Sequence, residues 1–274
     1  MFLLRMIKNL IDLAKDLVHN RKLLFSLAKN DFKSRYAGSY LGIIWAYVNP
    51  VVTILVYWFV FEKGLRSGGV EGIPFVLWLT AGLVPWFFFS DAISTGTNVL
   101  LEYQYLVKKV VFKIDILPVV KVMSGLFVHI FFIAIMLLLY TCMGYYPTWY
   151  AVQLLYYSLA VTALVVGIVY LTSSVVGFFR DLSQIIGIIL SIGVWMTPIM
   201  WQMDQVDIPQ VFKVILKLNP MYYIVSGYRD AMIYHRWFWE RVPQTIYFWC
   251  FTLLALLIGV GAFKRLKVHF ADVL

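Results

Sequence analysis

Asp91 and His129 stand inside long apolar stretches of this chain, where an ionisable side chain is by default a candidate for proton or ion chemistry. A relay needs a second titratable group within reach, and the sequence reveals none for either residue. His129 reads equally as a neutral imidazole hydrogen-bonded to a neighbouring helix, and Asp91 as a carboxylate hydrated near a membrane face. His19, His235 and His269 are scattered, and Asp91, Asp204, Asp207 and His235 are too dispersed to converge as the acid and base of a membrane-embedded glycosyl- or lipid-modifying enzyme. The chain has no G-x-x-x-x-G-K-[ST] phosphate loop, H-E-x-x-H zinc pair or G-x-S-x-G elbow. No catalytic residue, metal or cofactor is therefore expected in this chain. Cys142 and Cys250 fall in apolar runs without metal-ligand spacing and are expected to be buried core residues.

Aromatic side chains offer another chemistry, the stacking of apolar sugar faces. The chain has 10 Trp, 18 Tyr and 21 Phe. Tyr40, Tyr47 and Trp58 return to nearly one angle on a helix, and Trp195 and Trp201 are similarly placed further on. Such a stripe serves either as packing or as a track for sugar rings. The "PWFFF" run from Pro85 to Phe89 is expected in an interfacial aromatic belt.

The elements that must position these residues follow from composition. Hydrophobic residues make up 62% of the 274, well above the roughly 45–50% of soluble domains. The formal charge of +9 lies between apolar runs and not on a basic face, so membrane contact is preferred to nucleic acid. Six runs are near the roughly 20 residues that span a bilayer core: Leu41 to Phe61, Ile73 to Ser94, Val122 to Met143, Tyr150 to Phe179, Gln184 to Trp201 and Ile246 to Phe263. Sixteen of the 23 lysines and arginines then lie on the side of the termini and seven on the other, which predicts cytoplasmic termini.

The predicted fold is an all-α integral membrane protein with six transmembrane helices. Residues 1–40 form an N-terminal segment with an amphipathic helix in the interface, residues 41–263 the transmembrane domain, and residues 264–274 a basic cytoplasmic tail. The N-terminal sequence lacks an uninterrupted apolar core and a cleavage site, so it is expected to be retained. Residues 202–245 are apolar and aromatic but carry Arg229, Asp230 and Arg236, which predicts external re-entrant helices before the last span. Lys29, Lys33 and Arg35 can meet anionic headgroups at the inner leaflet, as anchors or as a binding site.

"LVKKVVFKIDILP", Leu106 to Pro118, is too charged for a bilayer core and too apolar for a solvated loop. On a helix of about 100° per residue, Leu106, Val107, Val110, Val111, Ile114 and Leu117 share one arc, and Lys108, Lys109, Lys113 and Asp115 the other. Phe112 and Ile116 project from the polar side, either as stray hydrophobes of an interfacial helix or as plugs into a cytoplasmic partner.

This stretch, "NDFKSRYAGSYLGIIWAYVNP", "GIPFVLWLTAGLVPWFFF", "GFFRDLSQIIG" and "MTPIMW" followed by "LNPMYYIVSGYRDAMIYH" together resemble the membrane subunit of ATP-binding-cassette exporters of lipid-linked cell-surface polymers, from about Asp31 to the last span. Teichoic acid permeases are the nearest in resemblance, chiefly through "EGIPFVLWLTAGLVPWFFF" and "SGYRDAMIYHRW"; an O-antigen or capsular polysaccharide permease is the alternative. The resemblance implies a multi-pass protein of the bacterial cytoplasmic membrane, a homodimer of permeases and two copies of a separate ATPase that carries ATP and Mg. It implies a coupling helix at about 102–118, with Leu106, Lys108, Lys109, Phe112, Lys113 and Ile116 facing that ATPase. An undecaprenyl-linked polymer would pass between the permeases, with Tyr40, Tyr47, Trp58, Trp195 and Trp201 along the path and Lys29, Lys33 and Arg35 at the lipid pyrophosphate. An ion-coupled carrier, the rival of another class, needs repeated halves with broken helices and paired carboxylates, and the sequence shows neither.

Overall fold

Apolar runs without a polar face have no amphipathic solution, and each becomes a helix whose backbone groups satisfy one another. A computed structural model describes residues 2–64, 72–108, 113–203 and 206–273. Its principal helices are α1 Phe2–His19, α2 Arg21–Arg35, α3 Trp45–Trp58, α4 Phe75–Thr97, α5 Leu117–Cys142, α6 Gln153–Val176, α7 Leu182–Met196, α8 Gln210–Lys217, α9 Pro220–Arg229 and α10 Val242–Leu266. No strand occurs among the described residues.

Five helical stretches are long and apolar enough to cross a membrane: Gly42–Gly64, Phe75–Thr97, Ile114–Cys142, Trp149–Val176 and Phe238–His269. The remaining expected span is α7, whose 15 residues reach about 22 Å, short of the about 30 Å hydrocarbon core. The chain bends after it, at Thr197 to Ile199.

α4 and α6 form the centre. The most apolar window of α4 is 78% buried, against 6% for the stretch containing α3. α4 packs on α5, α6 and α9, while α6 packs on α10 and α9. The α6–α10 contact depends on Gly259 and Gly167: a Cβ on Gly259 would lie 2.2 Å from the Gly167 carbonyl oxygen. Small residues at such crossings let two backbones approach, which supplies packing where lipid gives little hydrophobic drive. α3 leans on α4 from outside, and α7 touches α4 and α6.

A second core lies at the end of the bundle that holds the termini. Leu13 of α1, Leu24 and Ala28 of α2, Val99 and Leu100, Ile114, Ile116 and Leu117, Tyr170 of α6, and Val260 and Phe263 of α10 close around one another there. α1 lies against α10, with Lys264 Nζ donating to the Asn9 carbonyl at 3.0 Å. Its Leu13 is buried while Ile7, Ile11 and Val18 remain exposed. The N-terminal helix is thus only half covered by its own protein.

Two expectations about the core are corrected. Cys142 and Cys250 are exposed, because an apolar residue in a membrane helix can face lipid as readily as a neighbouring helix. Pro85, Trp86, Phe88 and Phe89 are buried in the middle of α4, so "PWFFF" belongs to the bundle centre and not to an interfacial belt.

Candidate functional site

The segment between α4 and α5 is broken into short pieces, and that decides which side chains it presents. Helical turns at Val99–Glu102 and Gln104–Val107 are followed, beyond the undescribed residues, by a 3-10 turn at Ile114–Ile116 and then by α5 with Pro118 in its first turn. The single 100° phase expected from Leu106 to Pro118 does not carry across these breaks. Ile116 accordingly turns inward and is fully buried in the second core, so it does not project toward a partner. Leu106 is half-buried against that core, and Lys108 and Lys113 are exposed. Lys109 and Phe112 lie outside the described residues.

Polar bonds tie this segment to every element around it. Lys113 Nζ donates to Asp16 of α1 at 2.9 Å, and Lys113 holds the Asp16 carboxyl below its ordinary range, chiefly through that hydrogen bond. Asp115 pairs with Lys267 beyond α10, and its carbonyl accepts the Tyr170 hydroxyl of α6 at 2.6 Å. Lys121, in the first turns of α5, is 4% exposed and sits between Asp31 of α2 at 2.7 Å and Glu102 at 2.5 Å. The Tyr103 hydroxyl donates to the same Asp31 at 2.7 Å. Burial pushes the Asp31 carboxyl upward, but Lys121 and the Tyr103 hydroxyl outweigh it and hold the group below its usual range. Sequence inspection missed this cluster because Asp31 and Lys121 are far apart in the chain and each resembles an ordinary boundary charge. The signal available was one lysine at the foot of an apolar helix.

Arg35 and Asp91 are brought together. The Arg35 Nη1 lies 2.8 and 3.0 Å from the two Asp91 oxygens. Asp91 therefore has the partner that the sequence did not disclose, and Arg35 is engaged within the protein, while Lys29 and Lys33 are exposed on α2. Beside the pair is a cavity of about 470 Å³ between α3, α4, α5 and α7, reached by Asn49, Thr53, Ser90, Asp91 and His129. His129 is buried, with Nε2 3.0 Å from the Tyr228 hydroxyl and 3.2 Å from Ser158 Oγ, and its ring stacks on Phe88. It is a core imidazole whose Nε2 joins α5, α6 and α9.

The aromatic stripe is divided. Tyr40 lies in the turn before the first span and is fully exposed, so the spacing of seven to Tyr47 does not run along a helix. Tyr47 packs on Phe131 at 4.0 Å between ring centres. Trp58 rests on the main core and donates to Glu62 at 2.5 Å. Trp195 is exposed on α7, and Trp201 donates its indole N–H to the Trp195 carbonyl at 3.0 Å. Tyr47 and Trp58 thus share the packed face of α3, and Trp195 and Trp201 meet across the bend that follows α7.

Residues 206–245 fold over the opposite end of the bundle. Asn219 caps α9 by accepting the Met221 amide at 3.0 Å, with Pro220 in the first turn. α9 inserts Arg229 against α4, its guanidinium 3.3 Å from the Trp78 ring centre. Arg229 donates to the carbonyls of Pro198 at 2.7 Å, Ile199 at 2.9 Å and Trp78 at 3.4 Å. One arginine therefore closes the bend that ends α7. Among the described residues no group of histidines, cysteines and carboxylates is arranged to hold a metal.

Residues 22–233 match the family described as ABC-2 type transporter. The chain is 29% identical over 227 residues, 83% of its length and 86% of the relative's, to the O-antigen export system permease protein RfbA of Myxococcus xanthus. A protein of the same name from Klebsiella pneumoniae is 26% identical over 255 residues, 92% of this chain and 95% of its own. The polysialic acid transport protein KpsM of Escherichia coli is 24% identical over 243 residues, 87% of this chain and 91% of its own.

Proposed function

Because the chain belongs to the ABC-2 type transporter family, we propose that it is the permease subunit of an exporter that carries a lipid-linked polysaccharide of O-antigen or capsular type across the bacterial cytoplasmic membrane. The observation that carries the substrate class is the near full-length similarity to relatives named for O-antigen export and polysialic acid transport. Those names favour such a polysaccharide over teichoic acid.

Two copies of the chain assemble with two ATPase subunits, which supply ATP and Mg, and both termini face the cytoplasm. The absence of a phosphate loop supports a division of labour in which hydrolysis occurs on the partner. Lys108 and Lys113, exposed on a segment otherwise anchored in the second core, dock that partner, together with Lys109 and Phe112. Because Asp16, Asp31, Lys121 and Lys267 hold the segment from several sides, a push delivered there reaches α1, α2, α5 and the end of α10 as one body.

The polymer moves between the two permeases along α3 and α7, the least buried of the apolar helices, which flank the cavity at Asp91 and His129. Tyr47, Trp58, Trp195 and Trp201 supply aromatic surface along that route, with Tyr40 at its entrance. Lys29 and Lys33 attract the lipid pyrophosphate at the inner leaflet by plain charge, while Arg35, neutralised by Asp91, holds α2 against α4 beside them.

The division of labour has a direct test. The isolated chain should hydrolyse no ATP, and the same chain purified with its neighbours should bring down an ATPase that a lipid-linked polysaccharide stimulates. Hydrolysis by the isolated polypeptide overturns the assignment.

A further inference from the structure

At the end of the bundle opposite the termini, a hollow of about 310 Å³ is lined by Trp201, Tyr222, Tyr234, Arg229, Arg236 and Arg241. Three guanidinium groups on one small surface repel one another, so the charges that answer them matter. Asp230 is buried, with its two oxygens 2.6 and 2.9 Å from Arg241. Glu240 lines the neighbouring hollow, and its Oε1 accepts the Trp237 amide at 2.9 Å. Set against both carboxylates, the three arginines still leave one positive charge unanswered among the described residues.

Arg229 and Arg236 are the two arginines of the hollow that make no ion pair among the described residues. Arg229 is 6% exposed and directs its donors at backbone carbonyls. Arg236 is exposed at the mouth, with its guanidinium 5.8 Å from the Tyr234 ring centre. The backbone beneath it is fixed: its amide donates to the Asp230 carbonyl at 3.2 Å, and its carbonyl accepts Gln153 Nε2 at 2.9 Å. His235, in the left-handed region at φ 52°, makes the turn that delivers it there. An arginine on a fixed backbone beside aromatic rings, in a hollow whose described residues carry surplus positive charge, is suited to an anion that also has an apolar face.

We propose that this hollow binds an oxyanion carried on a sugar, either a phosphodiester or a carboxylate of the exported chain. Arg236 makes the principal charge contact, and the rings of Trp201 and Tyr222 receive the sugar's apolar face. The export reading supplies only the source of that sugar; binding to the hollow requires neither the ATPase nor transport.

The test uses the full chain in phosphatidylcholine nanodiscs, with radiolabelled glucose 1-phosphate as the probe and unlabelled glucose as the neutral competitor. Saturable binding that glucose does not displace is expected, with affinity weakened at least about tenfold in Arg236→Gln. Arg236→Lys should recover part of the loss, since a lysine keeps the charge without the fork. Arg265→Gln, which removes an exposed charge at the far end, should bind like the unaltered protein. Equal binding by Arg236→Gln and the unaltered protein, or displacement by glucose, overturns the proposal. Loss of glucose 1-phosphate binding in discs containing phosphatidylglycerol would assign the hollow to a lipid headgroup and overturn the sugar as its source. Because the readout is binding alone, a failure here leaves the export reading to its own test.

Discussion

Lys121→Met is expected to destabilise the folded chain by about 3–5 kcal/mol, enough to remove most of the folded protein from a membrane extract. The side chain is 5% exposed and its partner Asp31 3% exposed, so the substitution strands a buried carboxylate and does not simply subtract a surface ion pair. The pairing of Asp31 with Tyr103 at 2.7 Å cannot replace a full positive charge. Asp31→Asn combined with Lys121→Met should recover much of the loss, because the desolvated charge disappears with its partner. Thermal stability of the detergent-extracted protein, followed by size exclusion, distinguishes the cases; equal losses in single and double variants would mean that charge compensation is not the cause. The pH dependence has a definite sign. Since Asp31 is held below its usual range, its contribution is complete above the unfolded carboxylate value and is lost only as pH falls through the lowered one. The cluster therefore stays intact at neutral pH.

Arg229→Met should be comparably severe, but confined to the other end of the molecule. The side chain holds carbonyls at Trp78, Pro198 and Ile199, and a buried acceptor left without a donor costs about 1–3 kcal/mol. Its stacking on Trp78 adds a desolvated cation–π contact of up to about 2 kcal/mol. Loss of these bonds frees the bend after α7 and the fold of residues 206–245 over it. Limited proteolysis should then cut this region rapidly while α4, α5 and α6 stay protected. Arg229→Lys is expected to fall between the two, since an ammonium offers three donors but no planar fork. An unchanged digestion pattern in Arg229→Met would show that the bend is held by something else.

The two ends differ in how far their organisation could be foreseen. Long apolar runs announced the helices, because a chain in lipid has few alternatives, and the order of short motifs announced the family. Which face of each helix is core was not legible. Lipid is as apolar as a leucine, so Cys142 and Cys250 turned out exposed while the aromatic run at Pro85 to Phe89 is interior. Helical phase misled where the helix was interrupted: Ile116 ends a 3-10 restart and points into the second core, and Tyr40 precedes the first turn of the first span. Charge partners were hidden for a different reason. Arg35 with Asp91, and Asp31 with Lys121, meet only after separate helices pack, and no local spacing encodes that meeting. The arginines of the hollow opposite the termini come instead from one continuous stretch, α9 and the turns that follow it, and only their convergence on one surface was hidden.

The central claim is that this chain carries a polysaccharide across the cytoplasmic membrane. The direct measurement removes the chain from its source bacterium and compares polysaccharide reached by a membrane-impermeant label with the total lipid-linked pool. The account predicts that labelled surface polymer disappears while lipid-linked polymer accumulates inside, and that supplying the chain restores the surface pool. Surface polymer at its normal level without this chain, under conditions where no second permease is present, would contradict it.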